Sequence, residues 1–500
     1  MPNNQATWEV AAALKRKDRA NRLKPYSHWS LGDLTPPPSQ KNVASLVHAR
    51  LTDRERSFLA SDVTDLAQRL ATRECTALEV TTAFCKAAYA AQELTNCLTE
   101  VMFDQALARA RELDDHIAKT GKAVGPLHGV PGLYALETSS NIYGRTTNPY
   151  NRELAVGGSS GGEGALVGSR AGLLGVGTDI GGSIRYVGTY DLRQRIYRLP
   201  TLGLATPYQG KEDVVLVTGP LGRSARDLEL FCRVVSEHEP WNLDPNTLSV
   251  PWNRSLAQST SEKLVIGILT DDGVVAPHPP ILERLQIARE ALIAAGHEVI
   301  DWEPIDQLEA FQLIGKMYVL DGGEDLRAPL KESGEPVIPL VEGLLALGES
   351  NGGSTLTESW SVNIQRDQFR ARALKHWNET AARSRSGRPI DVLLCPAAAT
   401  LAPPHNTTRW TAYGTYWNLL DLPAAVFPAG KPFDASQWKS GVGLTLGEPR
   451  NSIEEFVTGQ WNSETYDGAP IGLQLVGRRW QEEKLLADLK IVDAVVNARN

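Results

Sequence analysis

The sequence predicts a wound α/β fold in one large unit. Three observations carry that reading. Residues 264–302 have a β-α-β rhythm: the apolar run Leu264 to Leu269, an amphipathic stretch from Pro280 to Ala295, then a second strand-like run from His297 to Trp302. The run Leu173 to Thr178 reads as a buried strand lying between two glycine-rich loops. Composition stays even along all 500 residues, with no long polar or low-complexity linker, so one large unit is expected rather than several. The division is an N-terminal arm over residues 1–40 and a single domain over 41–500.

The elements follow in chain order. Residues 7–24 read as a helix, and Pro36-Pro37-Pro38 then interrupts the chain and separates the arm from the body. Thr76 and Glu79 form a capping box, which opens a helix reaching about Leu94. Ala106, Leu107, Ala110, Leu113 and Ile117 keep helical spacing, and Gly121 closes that helix. These two helices are expected to cover one side of the sheet. Ala165 to Arg170 reads as the start of a short helix, residues 302–382 as mostly helical, and Ile390 to Leu394 as a return to the sheet.

Composition excludes several classes of function. A net charge of −8 argues against a nucleic-acid surface, which needs a clustered excess of Lys and Arg. The one basic cluster, Lys15-Arg16-Lys17-Asp18-Arg19 with Arg22 and Lys24, reads as the solvated face of the first helix. Cys75, Cys85, Cys97, Cys232 and Cys395 are scattered and lack metal or redox spacing, as in a cytoplasmic protein with reduced thiols. The N-terminus has no apolar leader segment, and no uncharged apolar run approaches the ~18 residues of a membrane span. The reading is cytoplasmic, without membrane or nucleic-acid partners.

Chemistry concentrates in two short loops. Gly157-Gly158-Ser159-Ser160-Gly161-Gly162-Glu163-Gly164 and Gly177-Thr178-Asp179-Ile180-Gly181-Gly182-Ser183-Ile184-Arg185 gather serines and unhindered backbone amides at the ends of elements. Without Cβ atoms, such segments let a substrate approach the main chain and can turn consecutive N–H groups towards one point, as an oxyanion site requires. Gly157 to Gly161 also satisfies the G-x-S-x-G elbow, whose triad would continue with Asp391 and His405. That reading needs a buried strand just before the loop, and Arg152 to Val156 is a poor one. Neither loop has the lysine of a phosphate-binding P-loop.

At these residues the chain resembles the amidase signature family, and within it the fungal acetamidase-type amidases. Further landmarks stand in family order: Leu94-Thr95-Asn96-Cys97, Gly125 to Pro131, Asn148-Pro149-Tyr150-Asn151, Asn418-Leu419-Leu420-Asp421, and Gly468-Ala469-Pro470 through Val476-Gly477-Arg478-Arg479. The resemblance implies the amidase-signature fold, an α/β fold whose large mixed β-sheet core is covered by helices on both sides, and a linear-amide hydrolase that cleaves small carboxamides to carboxylate and ammonia. It implies Ser183 as nucleophile, Ser159 as the bridging serine on a cis peptide bond, and the amides of Ile180, Gly181, Gly182 and Ser183 as the oxyanion hole. Leu133 falls where family members line the acyl pocket. Asp179 and Arg185 are expected to brace the loop, and His128 to be a turn histidine. No metal or organic cofactor is implied, the partner is a small amide substrate, and homodimerisation stays open.

One family part is missing. In the family, the segment after the G-V-P turn carries the basic Lys in a Ser-Leu-Lys-Asp-like motif. Here Pro131 runs directly into Gly132-Leu133-Tyr134-Ala135-Leu136-Glu137-Thr138, and no lysine occurs between Lys122 and Lys211. A second, smaller gap follows Arg185. Several readings therefore stay open: an amidase with a relocated base, with His128 as the first candidate; an inactive homologue that binds a ligand or partner; a shortened translation of an active gene; and an amidotransferase subunit.

Overall fold

The computed structural model describes residues 7–130, 138–186, 199–204, 206–258, 263–438 and 447–498, together with the backbone of 132–133 and 192–194. Its strands are β1 (Gly132–Leu133), β2 (Ser139–Ser140), β3 (Gly144–Arg145), β4 (Leu174–Asp179), β5 (Leu192–Gln194), β6 (Val217–Gly222), β7 (Val265–Ile268), β8 (Glu298–Asp301), β9 (Val392–Pro396), β10 (Ala424–Pro428) and β11 (Gly472–Val476). Among the described residues nine of them form one sheet in the order β1-β4-β6-β5-β10-β11-β9-β7-β8, and β2 with β3 makes a separate ribbon. The sheet is mixed: β1 with β4, β7 with β9 and β7 with β8 run parallel, and the remaining neighbours antiparallel.

The period-2 alternation of strands divides the core between two faces. Val392 and Leu394 of β9 pack with Ile266, Phe427 and Leu475 under the helices Ala225–Glu237, Pro279–Ala294 and Glu482–Asn497. Leu393 and Cys395, one residue out of step, join Val265 and Ala424 under the helices Gln307–Tyr318, Leu356–Glu379 and Ala412–Leu420. Helices therefore cover both faces, as expected. The helices Ala77–Thr95 and Phe103–Thr120 form a further layer, packed with Leu166, Leu173 and Leu174.

Local chemistry explains the ends of those two helices. Thr76 Oγ1 accepts from the Glu79 N–H while the Glu79 carboxylate accepts from the Thr76 N–H, and Asn96 closes the helix in the left-handed region. Gly121 closes the next one at φ 73°. The first helix, Thr7–Leu23, corrects the reading of its basic face as merely solvated. Arg19 donates to Asn96 Oδ1 and to the Leu98 carbonyl, Arg22 to the Val101 carbonyl, and Arg16 to the Ile142 carbonyl. Arg152 ties down the rest of the arm through the carbonyls of Pro37, Pro38 and Gln40.

A second correction concerns the first serine loop. The helix begins inside the glycine run, at Gly161, and extends to Gly168 with every residue buried. Glycine is a poor helix former; the helix fits because the strand beneath it is also glycine where the two meet. Gly175 and Gly177, two apart on one face of β4, lie beneath it: a Cβ on Gly175 would stand 2.5 Å from Glu163 Oε2, and one on Gly177 2.6 Å from Ser160 Oγ.

β1 contributes only two residues to β4, pairing Gly132 with Leu174 and Leu133 with Gly175. Among the described residues the sheet therefore ends beside the serine loops on β1, two residues against the six of β4. Pro131 and residues 134–137, where the chain lacks the family's lysine segment, lie outside the described residues, as do residues 187–191 at the second gap.

Candidate active site

Two loops meet at the end of β4. In the first, the Gly158–Ser159 peptide bond is cis. Ser159 is exposed, whereas its neighbour Ser160 is buried and accepts a hydrogen bond from the Thr178 N–H at 3.2 Å. Thr138, the first described side chain after the gap, packs against the turn: a Cβ on Gly158 would stand 2.7 Å from its Oγ1, and one on Gly161 1.9 Å from its methyl.

The second loop leaves β4 at Asp179 and turns through Ile180, Gly181 and Gly182 to Ser183. Its brace is a buried ion pair. Arg185 Nε lies 3.0 Å from Asp179 Oδ2, with both side chains wholly buried. The guanidinium also donates to the Gly414 carbonyl at 3.1 Å, to Gln474 Oε1 at 2.9 Å and to Asn418 Oδ1, and Asn418 Nδ2 donates to Asp179 Oδ1 at 2.7 Å. A charged pair taken out of water needs such a complete set of partners. The expectation that Asp179 and Arg185 brace the loop holds.

Within the turn, Gly182 sits at φ +105°, a conformation closed to other residues, and its N–H donates to Asp179 Oδ1 at 2.8 Å. The Gly182 amide is therefore committed to the brace. This narrows the expected oxyanion donors, since an N–H aimed at a carboxylate does not face a substrate. Among the described residues the Ile180, Gly181 and Ser183 amides donate to no acceptor, and Ser183 is half-buried.

Tyr318, at the end of the helix Gln307–Tyr318, donates from its phenol to the Ile180 carbonyl at 2.8 Å. Tyr186 places its phenol between Thr411 and Gly414, donating to the Thr411 carbonyl and accepting the Gly414 N–H at 2.6 Å; burial pushes its pKa up and keeps it protonated. Reading the sequence assigned no role to Tyr318, Tyr186, Asn418 or Gln474. Asn418 and Gln474 lie inside landmark runs, which is the signal that could have found them. Tyr318 lies in no quoted motif.

The other candidates fall elsewhere. His128 is buried with its Nδ1 accepting the Val124 N–H at 3.2 Å, and burial lowers its pKa: it is the expected turn histidine. His405 Nε2 bonds to the Arg152 carbonyl, while the Asp391 carboxylate accepts the Val265 N–H at 2.9 Å. The residues before the first loop form no sheet strand, so the G-x-S-x-G triad has neither its strand nor its members assembled. All five cysteines are free and buried, and burial pushes Cys85, Cys97 and Cys395 up to about 12, which removes them as nucleophiles. Leu133 has only its backbone described, in β1. Among the described residues no lysine or histidine bonds to Ser159 or Ser183. Lys211 Nζ instead donates to the Met317 carbonyl and pairs with Asp213 at 3.4 Å.

No helix among the described residues is long and apolar enough to cross a membrane. The family model for amidases matches residues 79–134 and 132–486, and its two stretches meet at residues 132–134, beside the missing lysine segment. The acetamidase of Emericella nidulans is 34% identical over 546 positions, covering 96% of this chain and 97% of its own. That alignment is longer than the 500-residue chain, so the relative has residues without a counterpart here. A solved fatty acid amide hydrolase, 28% identical, superposes at a TM-score of 0.90 over 99% of this chain and 96% of its own. A bacterial aryl acylamidase of the amidase signature enzymes, 18% identical, superposes at 0.66 over 87% of this chain and 96% of its own.

Proposed function

The chain belongs to the amidase signature family and is a carboxamide hydrolase, and from that premise we propose that Ser183 is its nucleophile and Ser159 the serine that relays its proton. The observation that carries this reading is the turn itself: Ser183 half-buried beside the uncommitted amides of Ile180, Gly181 and Ser183, on a loop locked by the Asp179–Arg185 pair.

The steps are those of acyl transfer. Ser183 Oγ bonds to the carbonyl carbon while its proton passes to Ser159. The carbonyl oxygen gains negative charge and rests on the Ile180, Gly181 and Ser183 N–H groups. The C–N bond then breaks, the amine leaves with a proton, and water hydrolyses the acyl-enzyme to the carboxylate. A serine hydroxyl needs a base to accept its proton. The family's lysine is missing, and among the described residues no lysine or histidine bonds to either serine to speed that transfer, so turnover is expected to fall on the order of 10⁴ to 10⁶ below that of a complete family member.

Small aliphatic and arylalkyl carboxamides are the proposed substrates, a reading the acetamidase relative supports. Residues 1–40 serve as a docked arm on a single amidase domain, and the five free cysteines suit a reducing, cytoplasmic compartment. A second reading, a catalytically silent homologue that binds a ligand, rests on the same missing lysine. One experiment separates the two. A fluorophosphonate should label Ser183 slowly in the full chain and not at all in Ser183→Ala, with ammonia release from acetamide measured in parallel. Labelling that survives Ser183→Ala unchanged overturns the assignment; labelling with no ammonia release favours the silent homologue.

A further inference from the structure

The Tyr318 phenol reaches the candidate oxyanion loop from 138 residues away in sequence, and no step proposed above uses it. It donates to the Ile180 carbonyl at 2.8 Å. The peptide linking Ile180 to Gly181 is trans, because Gly158–Ser159 is the one cis bond among the described residues. In a trans peptide the N–H points opposite to the carbonyl. A donor that fixes the Ile180 oxygen therefore fixes the direction of the Gly181 N–H, one of the three uncommitted amides of the turn. The same hydrogen bond polarises the peptide, which makes the Gly181 N–H a stronger donor, by about 10–30%.

The approach is close enough to dictate the residue at position 181. A Cβ there would stand 2.8 Å from the Tyr318 hydroxyl and 3.5 Å from the Thr415 methyl, so only glycine admits the phenol. Tyr318 is itself held. Leu313, Ile314 and Met317 seat its helix in the core beside Tyr416 and Trp417. Its ring stacks on that of Tyr208 at 6.3 Å, and Lys211 Nζ, bonded to the Met317 carbonyl, lies 4.9 Å from the centre of the Tyr208 ring.

We infer that Tyr318 is a positioning residue for amide hydrolysis, aiming and polarising the Gly181 N–H at the developing oxyanion through the Ile180 carbonyl. The inference rests on the reading of the Ile180–Ser183 turn as the oxyanion site. Removing an oxyanion donor outright costs about 10² to 10³ in rate, and loosening one by removing its second partner should cost less, roughly tenfold.

The test compares fluorophosphonate labelling of the full chain with that of Tyr318→Phe, which deletes the hydroxyl and keeps the ring. In this reaction the Ser183 oxygen–phosphorus bond forms, fluoride leaves, and the phosphoryl oxygen takes the charge that the turn amides stabilise. Tyr318→Phe should lower the maximal labelling rate about tenfold while half-saturation stays within twofold and the melting temperature is unchanged. Tyr416→Phe, which removes a phenol bonded to the Ile305 carbonyl away from the turn, is the control and should label like the parent. A rate within twofold of the parent for Tyr318→Phe overturns the inference. So does a slowed rate accompanied by a lower melting temperature and weaker half-saturation, which would reveal a packing role. If the parent itself is not labelled at Ser183, the active-site reading fails first, and the inference falls with it.

Discussion

Arg185 and Asp179 face each other at 3.0 Å with no solvent exposure, one on each side of the turn that carries Ser183. The pair closes the loop like a clasp. Asp179 also takes the Gly182 N–H and Asn418, while Arg185 reaches Gln474 in β11 and the Gly414 carbonyl, so the turn is tied to the middle of the sheet.

That arrangement predicts a large loss on breaking the pair. Arg185→Ala leaves the Asp179 carboxylate buried without its cation, which costs about 3 to 5 kcal/mol. Urea unfolding monitored by tryptophan fluorescence should show the midpoint falling accordingly, and probe labelling of Ser183 should fall with it. A change under ~0.5 kcal/mol, typical of a surface substitution, would mean that the loop does not depend on the clasp.

The second prediction concerns acid. His278 is wholly buried, its Nε2 bonded to the Val457 carbonyl, and burial pushes its pKa down to about 4 from 6.5. The sign follows from linkage: the folded state keeps the ring neutral while the unfolded chain protonates it below 6.5. Its contribution is full above 6.5 and is lost as pH falls towards about 4, up to roughly 3 kcal/mol. Burial lowers His48, His128, His297 and His405 in the same direction. Urea midpoints between pH 7 and 4.5 should therefore drop steeply, and more shallowly in His278→Gln. Equal slopes in the two proteins would refute the assignment.

How much of this was legible in the sequence depends on the range over which each signal acts. The Thr76 capping box, the helix closed by Gly121 and the β7-helix-β8 unit are local, and they are found where residue spacing puts them. The two serine loops were legible because glycine runs are rare and chemically specific. β6 was not. Val217-Thr218-Gly219-Pro220-Leu221-Gly222, with two glycines and a proline, carries no strand signal, yet it is a fully buried strand paired along all of β4 except Leu174. Tertiary pairing there overrides local propensity. The start of the helix Gly161–Gly168 was hidden for a related reason: its glycines oppose helix formation locally, and the room for it is made by Gly175 and Gly177 of β4, a match over distance in the chain. Tyr318 could not be found at all, since its partner carbonyl carries no side-chain signature and lies in a distant part of the chain.

The last prediction returns to the gap. β4 spans six residues; among the described residues its outer neighbour β1 pairs with Leu174 and Gly175, and Ser160 accepts the Thr178 N–H on that side. The family segment missing after Pro131 should supply both the strand length that pairs here and the lysine that takes the serine proton. Each buried backbone amide left without a partner costs ~1 to 3 kcal/mol against a total stability of only ~5 to 15. Inserting a Ser-Leu-Lys-Asp-containing family segment after Pro131 should therefore raise the melting temperature and increase ammonia release from acetamide by several orders of magnitude. Replacing the inserted lysine with alanine should keep the stability and abolish the gain in rate, which separates the structural contribution from the chemical one. A cooperative melt above ~65 °C for the unmodified chain, or a kcat already in the ordinary range of ~1 to 10³ s⁻¹, would show instead that the fold has closed over the gap and that another group supplies the base.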